Sequence, residues 1–256
     1  MRSKLMLAAA MAALAVSAVA AQAAPSAAVV AAVADKARPA NDTKDDANRK
    51  PAEMMEFAGA KAGQTVIDIS PGGGYFTRVF SKVVGPKGVV YAVGSPPRAP
   101  QDPSKPPQVP AADTIAADPN FSNVKSLHAT PVGQGVHVPT QADIAWTSRN
   151  YHDFKNAAPN GDMTPFNKSV FDALKPGGEY IVLDHAAASG APAEVTRTLH
   201  RIDPGVVRKE VEAAGFKYEG ESTALRNPAD DHTGKNDESA VQGRTDQFIY
   251  KFRKPK

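Results

Sequence analysis

The sequence predicts an α/β fold: a mainly parallel sheet of seven strands with helices on both faces. Three observations carry this. Seven short β-rich runs are spread over residues 65–252, and several are separated by stretches with apolar residues at helical spacing. The first run, TVIDI, passes through PGGG straight into a helix-patterned segment. Strands that alternate with helices pair in parallel, because a parallel neighbour is reached by a crossover. In such sheets ligands bind beyond the carboxyl ends of the strands, so the residues just after each strand are the ones to inspect.

The chain opens with MRSKLMLAAAMAALAVSAVAAQAAP. Arg2 and Lys4 precede an uncharged run, and Ala21-Gln22-Ala23 fits a small-x-small cleavage site. This is the pattern of a secretory signal peptide, residues 1–23, so the chain is expected to be exported to the periplasm. The run is short and Ala-rich for a membrane anchor, which needs ~20 strongly apolar residues. Residues 24–50 turn polar and charged and read as a disordered tether, leaving residues 51–256 as one domain.

Arg49 to Ala62 reads as a helix, with Pro51 in its first turn, Met54, Phe57 and Ala58 on its apolar face and Gly63 as its stop. Strand Thr65 to Ile69, the glycine turn and helix Tyr75 to Val84 follow, then strand Val89 to Val93. Residues 95–110 hold seven prolines and form a surface loop, since proline removes ladder donors and breaks helices. A short helix is expected at Ala111 to Ala117, and strands at Val124 to Ala129 and Ala142 to Ser148. Thr164 to Leu174 is a helix, and Glu179 to Asp184 a strand. Val195 to Ile202 has helical character. Asp203-Pro204 caps a helix bearing Val207, Val211 and Ala214. The last two strands are Phe216 to Ser222 and Gln247 to Phe252.

Composition narrows the partners. The net charge is +3, of which Arg2 and Lys4 supply 2, so the mature chain stands near +1 (3 − 2). No run of Lys/Arg interleaved with aromatics is present, and nucleic acid is not an expected partner. With no cysteine there is no disulfide, thiolate metal site or Cys nucleophile.

The stretch VIDISPGGG lets backbone approach a ligand without Cβ interference, at a helix amino terminus whose amides are free. No Gly-Lys-Ser/Thr follows, which excludes a phosphate loop, and the G-x-G-x-x-G spacing is absent. The stretch resembles the first motif of class I S-adenosylmethionine-dependent methyltransferases, with Ser70 in place of the first glycine and Gly72 and Gly74 in place. GPKGVVYAV, LKPGGEYIVLD and the AAGF turn fit the same family. LRNPADD and GRTDQFIYKFRKP are similar to an exported branch of predicted methyltransferases. The resemblance spans about residues 51–254. It implies the Rossmann-like class I methyltransferase fold, with S-adenosylmethionine as cofactor. Asp68, Ser70, Gly72, Gly73, Gly74 and Tyr75 would then be the cofactor-binding residues. It also places Gly94 where the family carries an acid that binds the ribose hydroxyls.

After the fourth strand the family carries an Asn or Asp facing cofactor and acceptor. Here the segment is RNYHD: Asn150 is the positioning candidate, His152 the general base and Asp153 its orienting partner. After the fifth strand come Asp184 and His185. Two imidazoles and two carboxylates can also bind a divalent metal, or simply close strand ends with hydrogen bonds; no metal is assigned. His200, near Arg201 and Asp203, reads as a helix-surface residue, the alternative being that it leans over the pocket. A hydrolase reading lacks the G-x-S-x-G elbow. The expected function is methyl transfer to a small-molecule acceptor, against a non-catalytic extracytoplasmic ligand-binding protein on the same fold.

Overall fold

A computed structural model describes residues 24–97, 104, 106–129, 135–237 and 243–256. Residues 1–23, expected to be a signal peptide, lie outside them. One sheet holds β1 (Thr65–Ile69), β2 (Val89–Gly94), β3 (Val124–His128), β4 (Ala142–Ser148), β5 (Leu174–His185), β6 (Lys217–Ser222) and β7 (Gln247–Arg253), in the order β3-β2-β1-β4-β5-β7-β6. Only β7 is antiparallel, lying between β5 and β6. The order reverses between β1 and β4, so the crevice at their carboxyl ends is the switch point where such sheets take ligands.

Among the described residues the α-helices are α1 (Ala27–Val33), α2 (Ala40–Lys44), α3 (Asp46–Arg49), α4 (Pro51–Phe57), α5 (Tyr75–Val84), α6 (Ala111–Ala117), α7 (Tyr151–Ala157), α8 (Thr164–Ala173), α9 (Val195–Thr198) and α10 (Pro204–Ala213). Strand alternation sorts the core into two layers. Val66, Ile144 and Trp146 pack with α1, α4 and α5, and the Trp146 ring meets Phe76 and Phe80 edge-on at 4.7 and 5.6 Å. Ile67, Ile69 and Ala145 face α7, α8 and α10 through Tyr151, Phe166, Val170 and Val207. Side chains as fully buried as these contribute about 1.5–3 kcal/mol each. As the sequence implied, Asp203 caps α10, its carboxylate accepting from the Gly205 amide at 2.7 Å.

Several elements depart from expectation. Residues 24–50 are not a disordered tether: they form α1, α2 and α3 against the domain. Val29 is fully buried, and Arg38, 4% exposed, pairs with Asp46. The charges that suggest solvation find partners instead, Asp42 on Arg78 (2.9 Å) and Asp46 on the Tyr75 hydroxyl (2.5 Å). The expected helix Arg49 to Ala62 covers only Pro51–Phe57, because Lys50 is left-handed (φ 45°) and the chain turns at Gly59 (φ 65°). Met55 rather than Phe57 completes its buried face. The polar segment after β4 is itself a helix, α7, and β5 begins five residues early, at Leu174. Among the described residues, no helix is long and apolar enough to cross a membrane.

Candidate functional site

At the end of β1 the chain alternates conformation: Ser70 (φ 55°), Gly72 (φ 56°) and Gly74 (φ 80°) are all left-handed. These are the positions of the motif's three glycines. Ser70 therefore keeps the backbone while losing the residue suited to it, a strain of roughly 1–2 kcal/mol. Its amide donates to Val93 O at 2.8 Å, which ties the loop to β2. A Cβ added at Gly72 or Gly73 would meet nothing within 4 Å, so the loop faces open space. Gly74 has another reason to be glycine: a Cβ there would stand 2.1 Å from Ile115 Cδ1 on α6.

A cavity of about 690 Å³ opens on this loop, within the range of small-molecule sites. Ser70, Gly72 and Gly73 form one side, Gly94 stands at the end of β2, and Asn150 at the end of β4. The described parts of the proline-rich loop, Pro96 and Pro97 on one side and Gln108 to Pro110 on the other, wall the cavity rather than fill it. Asn150 Nδ2 donates to Ser70 O (3.0 Å) and Ser148 O (2.8 Å), so what the side chain has left to offer is its acceptor Oδ1. Arg78 is the only charged residue among the described lining, and no carboxylate stands at the strand end.

Asp68 and Tyr75 do not line the cavity. The Asp68 carboxylate, 3% exposed, accepts from Thr77 Oγ1 at 2.6 Å. Burial pushes its pKa up to about 6, against the Thr77 hydrogen bond and the charge of Arg49. Tyr75 instead anchors the amino-terminal helices through Asp46, and its ring carries the Arg49 guanidinium at 4.1 Å. Arg49, like Arg149 beside β4, has no carboxylate in ion-pairing range among the described residues.

The expected trio separates. Asn150 lines the cavity, whereas His152 and Asp153 do not. His152 is 1% exposed, and Asp184 rather than Asp153 orients it. The Asp184 carboxylate accepts from His152 Nδ1 at 2.8 Å and from the His152 amide at 2.8 Å. Burial opposes protonation of His152, but the Asp184 charge and hydrogen bond outweigh it and raise the pKa. His152 Nε2 lies 3.5 Å from Asp153 Oδ1, and His200 Nδ1 lies 3.6 Å from the same oxygen. His185 turns away to Thr245 Oγ1 (2.6 Å), and burial pushes its pKa down to about 3, leaving it neutral. His200 is not on a helix surface, since α9 ends at Thr198, and it stands beside His152. That neighbour, and Arg49 on the Tyr75 ring, carry no local signal, because each reaches its place from a distant part of the chain.

Neither a protein-family model nor a curated protein matches the chain. Solved structures do. It is similar to a SAM-dependent methyltransferase from Aquifex aeolicus, with 19% identity, a TM-score of 0.54, and 86% of this chain and 100% of that one covered. It is also similar to CrArsM, an arsenic(III) S-adenosylmethionine methyltransferase from Chlamydomonas reinhardtii (17%, TM-score 0.55, 91% and 75%). A third is an S-adenosylmethionine-dependent methyltransferase from Mesorhizobium loti (16%, TM-score 0.51, 76% and 92%). With the observed strand order, this likeness shows that the chain has the Rossmann-like fold of class I S-adenosylmethionine-dependent methyltransferases.

Proposed function

We propose that the chain transfers a methyl group from S-adenosylmethionine to a small-molecule acceptor. The observation that carries this reading is the cavity at the switch point, where bare glycine backbone, the end of β2 and Asn150 meet. The cofactor supplies a methyl group already activated by its sulfonium, so the protein's share is alignment. The Ser70 to Gly73 backbone holds one end of the cofactor, and Asn150 Oδ1 accepts from it or from the acceptor. His152 faces Asp153 and His200 instead of the cavity, so the base role expected for it has no support in this geometry.

Gly94 favours a second reading, a ligand-binding protein without turnover, because a ribose-binding carboxylate is missing. Its replacement is sterically open: a Cβ there meets only Pro71 Cδ, at 3.6 Å. Calorimetric titration with S-adenosylhomocysteine is expected to show saturable binding. Gly94→Asp is expected to tighten it by the ~1.5–3 kcal/mol of a charge-assisted hydrogen bond, about tenfold or more. Gly73→Val is expected to abolish binding while leaving the thermal midpoint unchanged. No heat from the folded parent at millimolar ligand would sink the cofactor reading. Binding without turnover on any acceptor would leave the second.

Export with cleavage after Ala23 belongs to the same proposal. Amino-terminal sequencing of chain from the periplasmic fraction is expected to start at Ala24. An intact Met1 start in the cytoplasmic fraction would refute it.

A further inference from the structure

We propose that His152 Nε2, an Asp153 carboxylate oxygen and His200 Nδ1 form a binding site for a divalent transition-metal ion, Zn²⁺ being the ion this donor set suits best. The three ligand atoms all lie within 4.8 Å of one another, with both histidine nitrogens about the same distance, 3.5 and 3.6 Å, from Asp153 Oδ1. A tetrahedral Zn²⁺ with bonds of ~2.0–2.1 Å sets its donors roughly 3.3 Å apart. Two of the three separations are already near that value. The third closes by movement of His200, whose side chain is 43% exposed. Two imidazoles and one carboxylate match the three-ligand pattern of open zinc sites, and Mg²⁺ or Ca²⁺ would require an oxygen shell that is absent here.

The surroundings are those of a metal ligand rather than a chance ion cluster. Metal-bound histidines commonly donate their other nitrogen to a carboxylate, which fixes tautomer and ring direction. Asp184, fully buried, does this for His152 Nδ1 and holds the same residue's amide. His200 sits at a left-handed backbone position (φ 50°), one that histidine and asparagine adopt more readily than most non-glycine residues. The backbone that follows is anchored, which leaves the His200 side chain to adjust. Arg201 is fully buried, and the Ile202 amide donates to His185 O at 3.0 Å. The His152 and His200 rings meet edge to face, 5.5 Å between centroids. Asp153, 56% exposed, leaves the ion reachable from solvent, with a fourth position for water or a ligand atom.

This site is independent of methyl transfer, and its test has no activity readout. The purified chain, stripped with EDTA, is titrated with ZnCl₂ by calorimetry and with CoCl₂ by visible absorption. One equivalent is expected to bind, with the intense d–d bands of low-coordinate Co²⁺, and MgCl₂ is expected to give no heat. His200→Asn keeps a residue that tolerates the left-handed backbone. It is expected to weaken Zn²⁺ binding by more than the ~10–100-fold that a lost outer-shell partner costs. Asp153→Asn, at an exposed position, serves the same purpose if the first variant does not fold. His128→Ala, at the exposed His128–Asp113 pair, is expected to leave binding unchanged. Zn²⁺ affinity weaker than millimolar, or affinity unmoved by both ligand variants, would overturn the site.

Discussion

Replacing Arg201 with methionine is expected to destabilise the fold by about 3–5 kcal/mol, the cost of breaking a buried ion pair on one side only. Arg201 and Asp230 are 0% and 1% exposed, and the guanidinium grips the carboxylate with two nitrogens, at 2.8 and 3.0 Å. Its remaining donors reach Ala186 O (3.0 Å) and Gly234 O (2.8 Å). One side chain thus joins the end of β5 to the loop after β6. Without it, Asp230 keeps, among the described residues, only amide donors, from Asp246 at 2.7 Å and His232 at 3.1 Å. The double variant Arg201→Met/Asp230→Leu is expected to lose less than the single one, since no uncompensated charge stays buried. Urea unfolding of the three proteins decides this. A loss below about 1 kcal/mol in the single variant would mean that the pair behaves like a surface ion pair.

Asp68→Asn is expected to stabilise the chain at pH 7.5 by up to about 3 kcal/mol, an advantage that fades toward pH 4. With a folded pKa of about 6 and an unfolded one of ~3.9, the shift is roughly two units, at ~1.4 kcal/mol each. Because the folded pKa is the higher, protonated Asp68 favours the folded state. That contribution is full below pH ~3.9 and is lost as pH rises through about 6. Above that, folding holds a carboxylate in a dry site, with Thr77 Oγ1 its one close hydrogen-bond donor among the described residues. Asparagine keeps an acceptor for Thr77 and carries no charge. Unfolding midpoints of parent and variant at pH 7.5, 6 and 4.5 test this, and titrations common to both proteins cancel in the difference. A difference that is flat with pH would show that Asp68 does not titrate near 6. A buried acid that weakens the fold at neutral pH, directly beneath the glycine loop, is the kind of strained group found at functional sites.

Much of the architecture is local information. The alternation of TVIDI, VVYAV and ADIAWTS, the helical spacing of Phe76, Val79 and Phe80, and the Asp203-Pro204 cap each lie within a few residues. The loop motif is legible even with its first glycine replaced, because Ser70 accepts the same left-handed backbone. What misled was composition. The charges of residues 35–50 look solvated, yet Arg38, Asp42 and Asp46 pair among themselves and with α5.

By itself the sequence determined the α/β class, seven strands in chain order, and a glycine loop after the first of them. These follow from side-chain periodicity and turn chemistry, which act over a few residues. Tertiary structure alone decided which carboxylate orients His152, and that His200 stands beside it. Asp153 is the sequence neighbour, but it points outward on α7, while Asp184 arrives from the adjoining strand 32 residues away. Partners of that kind depend on where crossovers land and on which side chain the sheet turns inward, and no short stretch of sequence encodes that.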